Sequence, residues 1–116
     1  FYYADNGNVN HEIDIEAFNS NDVIYSSYTS ESDSTHINSK LNYNLQDNEK
    51  HTYRFDWYCG KKVEFYIDNV LQTIIETNVP THAMEVWIGA WCPSWAGEQR
   101  QENSKMTIYS FKYTKF

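Results

Sequence analysis

Three carboxylates alternate with apolar residues in a short segment near the start of the sequence. Residues 11–18 read His-Glu-Ile-Asp-Ile-Glu-Ala-Phe and include Glu12, Asp14 and Glu16. A β-strand has a period of two, so the carboxylates would share one face and the apolar residues the other. Neighbouring like charges destabilise a sheet, and a fold accepts that cost most readily where carboxylates do chemistry. A solvated face of an amphipathic strand shows the same alternation, so both interpretations stay open.

Aromatic residues form a second group with a possible role in binding. The chain contains 10 Tyr, 6 Phe and 4 Trp, which is more than core packing usually needs. Exposed aromatic rings suit a ligand that has an apolar face. Trp95 lies in a loop with Pro and Gly that we expect to be exposed. Trp87 fits the core equally well, Trp91 is undecided, and the alternating context of Trp57 favours the core.

The overall composition restricts the class of partner. A chain of 116 residues suffices for one small domain, and we expect a single domain over residues 1–116. The net charge of −7 argues against nucleic acid and anionic membranes as partners and fits a neutral ligand. Cys59 and Cys92 lack a Cys-x-x-Cys spacing, so a disulfide and two free buried thiols remain open. The histidines have no metal-ligand spacing, and the sequence predicts neither a metal nor a cofactor.

Strand-like segments recur at short spacing, and no segment of ten or more residues has a helical period. Residues 51–58 and 63–67 alternate on either side of a Gly-containing turn and predict a hairpin. Asp68-Asn69 is a candidate two-residue turn into a strand over residues 70–76. Further strands are predicted over residues 1–4, 9–18, 23–28, 37–45, 84–90 and 105–113, with a loop over residues 29–36. The sequence therefore predicts an all-β fold.

Four motifs in the same order resemble glycoside hydrolase family 16. Residues 11–18 have the form of the family's Glu-x-Asp-x-Glu strand, and residues 51–57 resemble its His-Thr-Tyr-x-x-Asp-Trp strand. Residues 63–71 are similar to the hairpin strand that follows, and residues 87–97 to a later strand and Trp-containing loop. The resemblance implies a concanavalin-like β-sandwich, or jelly roll, with a concave catalytic sheet. It also implies a secreted, retaining endo-β-glucan hydrolase of the β-1,3-1,4- or β-1,3-glucanase type, with a neutral polysaccharide as partner.

The resemblance assigns a role to each carboxylate. Glu12 would be the nucleophile, Glu16 the acid/base, and Asp14 a helper that hydrogen-bonds the nucleophile. Retaining glycosidases hold two carboxyl groups about 5–5.5 Å apart. Four residues along a strand span roughly 13 Å, so the strand must curve and the Glu side chains must lean together.

A set of aromatic and acidic side chains is expected to bind the sugar. Tyr28 resembles a sugar-contact Tyr of the family, and Glu85 lies two residues before a Trp, although a surface charge explains Glu85 equally well. The expected sugar-binding residues are Tyr28, Glu85, Trp87, Trp91 and Trp95.

The sequence also departs from the family pattern. Only residues 1–4 form a strand before the catalytic one, so we expect a partial domain lacking N-terminal strands, as a fragment, a reduced variant or one half of a pair with a second chain. Asn10 and Glu85 stand where lichenases have Trp and Asn. Tyr109 replaces a lichenase calcium ligand, and no metal is predicted. The alternatives to a hydrolase are a non-catalytic, lectin-like carbohydrate-binding domain and a xyloglucan-type transglycosylase.

Overall fold

The computed structural model describes residues 2–5, 9–18, 21–90, 92–96 and 105–115, and most of their regular structure is β-strand. The elements are β1 (Tyr2–Asp5), β2 (Val9–Phe18), β3 (Asp22–Tyr28), β4 (Ser34–Lys40), β5 (Tyr53–Tyr58), β6 (Lys62–Ile67), β7 (Val70–Ile75) and a 3₁₀ turn (Ser94–Ala96). These residues contain no α-helix, so the predicted all-β class is confirmed. Within the same ranges, no helix is long and apolar enough to span a membrane.

The strands form two antiparallel sheets that pack as a β-sandwich. One sheet has the order β1-β2-β3-β4 and the other β5-β6-β7. The inner faces of both sheets supply the core, and the rings of Tyr25 and Phe65 meet there with centroids 5.2 Å apart. The buried apolar residues are Ile13, Val23, Tyr25, Leu41, Val63, Phe65, Ile67, Ile75 and Val79. Removing these side chains from water is the main force that holds the sheets together.

The hairpin predicted from the clearest alternation is confirmed, and so is the turn that follows it. β5 pairs antiparallel with β6, and β6 with β7. Asp68 and Asn69 have φ values of 51° and 64°. Positive φ at both central residues is typical of the type I′ turn that matches the twist of a two-residue hairpin. The turn is fixed further because the Thr52 amide donates a 2.8 Å hydrogen bond to the Asp68 carboxylate.

Three predicted strands differ from the structure. The strand expected over residues 37–45 instead spans Ser34–Lys40, because pairing with β3 determines where it begins and ends. Residues 84–90 and 105–113 do not form strands: apart from an isolated bridge at Glu85, they have no strand pairing. Their alternation is genuine, but a strand exists only where a neighbour accepts its backbone hydrogen bonds. Large apolar side chains on both segments are exposed, including Trp87 at 70% and Tyr109 at 68%.

Cys59 and Cys92 do not form a disulfide, and both are exposed. The sequence left a disulfide or two free buried thiols open, and the buried placement is wrong. Cys59 lies in the exposed turn between β5 and β6, where its thiol lies 3.7 Å from the Thr81 carbonyl oxygen. The sandwich is therefore held together by packing and hydrogen bonds rather than by a cross-link between these two residues.

Candidate active site

Strand β2 places the three carboxylates on one face of the four-stranded sheet. Glu12, Asp14 and Glu16 are all half-buried, whereas Ile13 on the opposite face is completely buried in the core. His11 also points away from the carboxylates, as the period of two in a strand requires, and its ring centroid lies 4.3 Å from that of His82. Burial of the apolar face fixes the strand in one register, and that register points the acids outward together.

A pocket of about 290 Å³ opens beside these carboxylates. Tyr28 lies directly opposite Glu12 in the β2–β3 ladder, and Trp95 approaches from the 3₁₀ turn. The lining residues are Glu12, Asp14, Glu16, Ile24, Tyr28, His36 and Trp95. The Trp95 ring also meets Phe18 edge-on, with centroids 6.1 Å apart. The structure thus brings two of the predicted sugar-binding residues to the three acids.

Asp14 occupies the centre of the acidic row, and its carboxyl group is held in the neutral form. Burial, the charge of Glu12 and a hydrogen bond to Glu12 raise the pKa of Asp14 to about 8. A carboxyl group that shares a site with a carboxylate keeps its proton because two adjacent negative charges repel. At neutral pH Asp14 therefore donates a hydrogen bond to Glu12.

The two glutamates at the ends of the row have different surroundings. Burial, followed by the charge of Glu12, raises the pKa of Glu16. Glu12 instead accepts a 3.1 Å hydrogen bond from Asn10 Nδ2 at Oε2, in addition to the one from Asp14. One terminal carboxyl group is thus biased towards the acid form, while the other is surrounded by donors. This asymmetry is what an acid and a nucleophile require of two residues of the same type.

The sequence as a whole matches one protein family. The family model for glycosyl hydrolases family 16 matches residues 1–112. The chain belongs to this family. Membership indicates a glycosidase or a related transglycosylase. Comparison with curated proteins gave no match, and comparison with solved structures gave none either.

Two further residues predicted to bind sugar lie outside the pocket of this family 16 domain. Glu85 and Trp87 are both exposed and contact each other, with Trp87 Nε1 donating a 3.3 Å hydrogen bond to Glu85 Oε2. Neither residue lines the pocket that contains the acids. Trp91 lies outside the described residues. Trp57, predicted to be a core residue, packs against the core, and its indole donates to the Pro80 carbonyl oxygen at 2.9 Å.

Several site residues were not identified from the sequence. Asn10 was noted only as a departure from the family, yet it is a hydrogen-bond donor to Glu12. Ser26 and His36 reach the site because β3 pairs with β2 and β4 pairs with β3, and their side chains are 2.9 Å apart. The period of two in β3 could have placed Ser26 on the face of Tyr28. No local signal could have shown which residue of β4 lies opposite Ser26.

The chemistry available at the site is that of carboxyl groups and aromatic rings. Protonated and ionised carboxyl groups on one strand can donate and accept a proton within one reaction. Across the described ranges, no cluster of three or more His, Cys, Asp or Glu side chains could hold a metal ion. The arrangement suits general acid–base and nucleophilic catalysis on a ligand with a ring that can lie against Tyr28 and Trp95.

Proposed function

We propose that this family 16 domain is a retaining endo-β-glucan hydrolase that acts by double displacement. The observation that carries the proposal is the row of Glu12, Asp14 and Glu16 on one face of β2, beside a pocket that Tyr28 and Trp95 also line. The pKa of Asp14 is raised to about 8, that of Glu16 is raised, and Glu12 accepts hydrogen bonds from Asn10 and Asp14. Retaining glycosidases need one carboxylate and one carboxylic acid flanking the scissile bond.

In the first step, ionised Glu12 attacks the anomeric carbon and forms a glycosyl-enzyme. Protonated Glu16 gives its proton to the leaving glycosidic oxygen, so the departing sugar leaves as a neutral alcohol. In the second step, Glu16 removes a proton from water, and the resulting hydroxide displaces Glu12 with overall retention.

Asp14 would adjust the nucleophile during this cycle. Its hydrogen bond stabilises the carboxylate of Glu12 before attack and after release. When Glu12 becomes an ester its negative charge disappears, and the charge that raises the pKa of its neighbours disappears with it. Glu16 then holds its proton less tightly, which favours its change from acid to base.

The pocket supports a neutral sugar polymer as the substrate. Tyr28 and Trp95 give it aromatic surface, and a net charge of −7 disfavours anionic polymers. We further propose an extracellular location, because polysaccharides too large to cross a membrane are degraded outside the cell. Glu85, Trp87 and Trp91 remain proposed sugar contacts, for parts of a long chain that extend beyond the pocket.

The test is hydrolysis of lichenan, laminarin and xyloglucan by the wild-type protein and by Glu12→Gln. We expect the wild type to release reducing sugar from at least one polymer and the variant to release none. Glu31→Gln, which removes an exposed acid in the β3–β4 loop, is the matched control and should retain activity. Product configuration followed by NMR should show retention at the anomeric carbon.

The outcomes separate the rival functions. Wild-type activity no greater than that of Glu12→Gln on every polymer overturns the hydrolase proposal. Calorimetric binding of oligosaccharides without turnover would instead identify a lectin-like domain. Longer products formed when an oligosaccharide acceptor is added would identify a transglycosylase.

We also propose that a second polypeptide adds β-strands to one apolar surface of the domain. Residues 83–90 and 105–115 expose large apolar side chains and form no strand. They border an apolar groove of about 310 Å³ lined by Trp57, Ala83, Met84, Val86, Phe111 and Tyr113. Native mass spectrometry of the purified sample should detect the additional chain, and a spectrum containing only this chain would contradict the proposal.

A further inference from the structure

His36 is fixed in the pocket by two serines. Its Nδ1 lies 2.9 Å from Ser26 Oγ, and its Nε2 lies 3.0 Å from Ser34 Oγ. Ser26 is completely buried and belongs to β3, whereas Ser34 and His36 belong to β4. A serine hydroxyl both donates and accepts, so the two serines satisfy the ring in either neutral tautomer. The imidazole is therefore held at both nitrogens, and neither nitrogen is left for a ligand.

The ring of His36 packs against Tyr28. The two centroids are 5.0 Å apart and the planes meet at 82°, a perpendicular arrangement that aromatic pairs favour. Tyr28 lies directly opposite both Glu12 in β2 and Ser34 in β4. His36 thus connects two serines on neighbouring strands to the aromatic ring beside the nucleophile proposed above.

The orientation of the Tyr28 ring matters because the ring lies beside the acidic row of Glu12, Asp14 and Glu16. Burial, followed by the charges of Glu12, Asp14 and Glu16, raises the pKa of Tyr28 to about 12. Its hydroxyl group therefore remains protonated and can donate a hydrogen bond at any pH at which the enzyme would work. A small rotation of this ring changes where that donor points relative to a bound sugar.

We propose that His36 is a positioning residue, which holds the ring of Tyr28 at the sugar-binding wall of the pocket through its bonds to Ser26 and Ser34. The role follows from the geometry: both imidazole nitrogens face serines, and the ring faces Tyr28. His36 acts on the substrate only through Tyr28. The kinetic part of this inference rests on the proposed hydrolase function.

The kinetic test compares His36→Gln with the wild type on whichever polymer the wild type hydrolyses. An amide side chain can still hydrogen-bond to the serines, but it lacks the ring that packs on Tyr28. We expect KM to rise roughly two- to tenfold, the size of an aromatic pair contribution, with kcat changed less than twofold. Ser34→Ala should show a smaller rise in KM, and Ser34→Thr, which keeps the hydroxyl, should restore the wild-type value.

A double-mutant cycle decides whether His36 acts through Tyr28. In a Tyr28→Ala background, His36→Gln should change KM no further, because the ring that it positions is already absent. Equal effects of His36→Gln in both backgrounds would overturn the proposal and indicate direct contact with the sugar.

A spectroscopic readout separates this inference from the enzyme proposal. In protein labelled with ¹³C-tyrosine, Tyr28→Phe identifies the Tyr28 ring signal. His36→Gln should move or broaden that signal while Glu31→Gln leaves it unchanged, whether or not the protein hydrolyses any polymer. An unchanged Tyr28 signal in folded His36→Gln would contradict the positioning role. An inactive wild type with a displaced Tyr28 signal would refute only the hydrolase.

Discussion

Strands β2 and β6 both carry acidic side chains on one face and apolar residues on the other, three acids in β2 and one in β6, yet Asp14 and Glu64 have opposite properties. In β2, burial and the charge of Glu12 raise the pKa of Asp14 to about 8. In β6, a 2.6 Å ion pair with Lys62 and a 2.8 Å hydrogen bond from Tyr66 lower the pKa of Glu64. The alternation of polar and apolar residues is similar in both strands, but Asp14 is buried beside the charge of Glu12, whereas Glu64 is hydrogen-bonded to Lys62 and Tyr66.

The surroundings of the β6 acid explain that difference. On the outer face of β5 and β6, the Arg54 guanidinium lies 3.8 Å from the centroid of the Tyr66 ring and pairs with Asp56 at 3.2 Å. Among the described residues that line the pocket beside β2, none is a lysine or an arginine. Glu64 has a lysine and a phenol as hydrogen-bond donors and is held ionised, whereas Asp14 is buried beside a carboxylate and keeps its proton. The comparison shows that partners, rather than periodicity, distinguish a candidate catalytic face from an ordinary one.

Among the changes that test this comparison, the largest expected effect is the loss of the proposed acid catalysis when Glu16 is replaced. Glu16→Gln should reduce kcat on polysaccharide by roughly 10²–10⁴-fold, the usual contribution of a positioned acid or base. Glu64→Gln, the matched change in β6, should leave kcat unchanged. Initial-rate assays on the cleaved polymer check both variants. Comparable losses in the two variants would remove the functional distinction between the strands.

Asp14→Asn should stabilise the protein at neutral pH. Between the ordinary pKa of about 3.8 and the raised value of about 8, the folded state binds the extra proton, so stability falls as pH rises. Asparagine avoids that penalty, and we expect a gain on the order of 1–2 kcal/mol at neutral pH. Thermal unfolding near pH 4 and near pH 7 checks this: the gain should shrink at the lower pH. If Asp14→Asn instead lowered Tm at neutral pH, the wild-type Asp14 carboxyl group would not be destabilising.

A third group of acids, Asp47 and Asp68, is hydrogen-bonded to His51, which becomes a cation when it is protonated. The stability that this group provides should therefore change with pH differently from that of the β2 acids. His51 lies 2.8 Å from Asp68 and 3.0 Å from Asp47, and these hydrogen bonds raise its pKa, with that to Asp68 the largest cause. The stabilisation is complete below the ordinary value of 6.5 and is lost as pH rises through the raised value. His51→Gln should therefore lower Tm more at pH 6 than at pH 9. Equal losses at both values would refute an ionic contribution.

The smallest effect is expected for the β6 ion pair. Because the pKa of Glu64 is lowered, its stabilisation exists above the ordinary value of 4.5 and disappears as pH falls through the lowered value. Glu64→Gln should give a slight decrease in Tm at neutral pH that added salt reduces, since Lys62 is partly exposed and such pairs are screened. A higher Tm in Glu64→Gln, as expected for Asp14→Asn, would show that the acids of β6 and β2 do not differ in their effect on stability.

Much of the fold could be predicted because its signals are local. The hairpin of β5 and β6 alternates cleanly, and Asp68-Asn69 suits the positive φ values that its turn requires. Residues 84–90 and 105–113 show the same kind of alternation, yet they are not strands. Whether a neighbour is available to accept their hydrogen bonds depends on distant parts of the chain, and a local pattern contains no information about that.

The candidate site shows the same division between features that a local pattern predicts and features that only packing decides. The sequence alone determined that Glu12, Asp14 and Glu16 share a face, because side-chain direction in a strand follows from its period of two. Tertiary structure decided that Tyr28, His36 and Trp95 join them and that Glu85 and Trp87 do not. It also decided that Asp14 stays protonated while Glu64 does not. Register, burial and the distance to a cation are properties of packed strands, and they arise only when residues far apart in sequence meet.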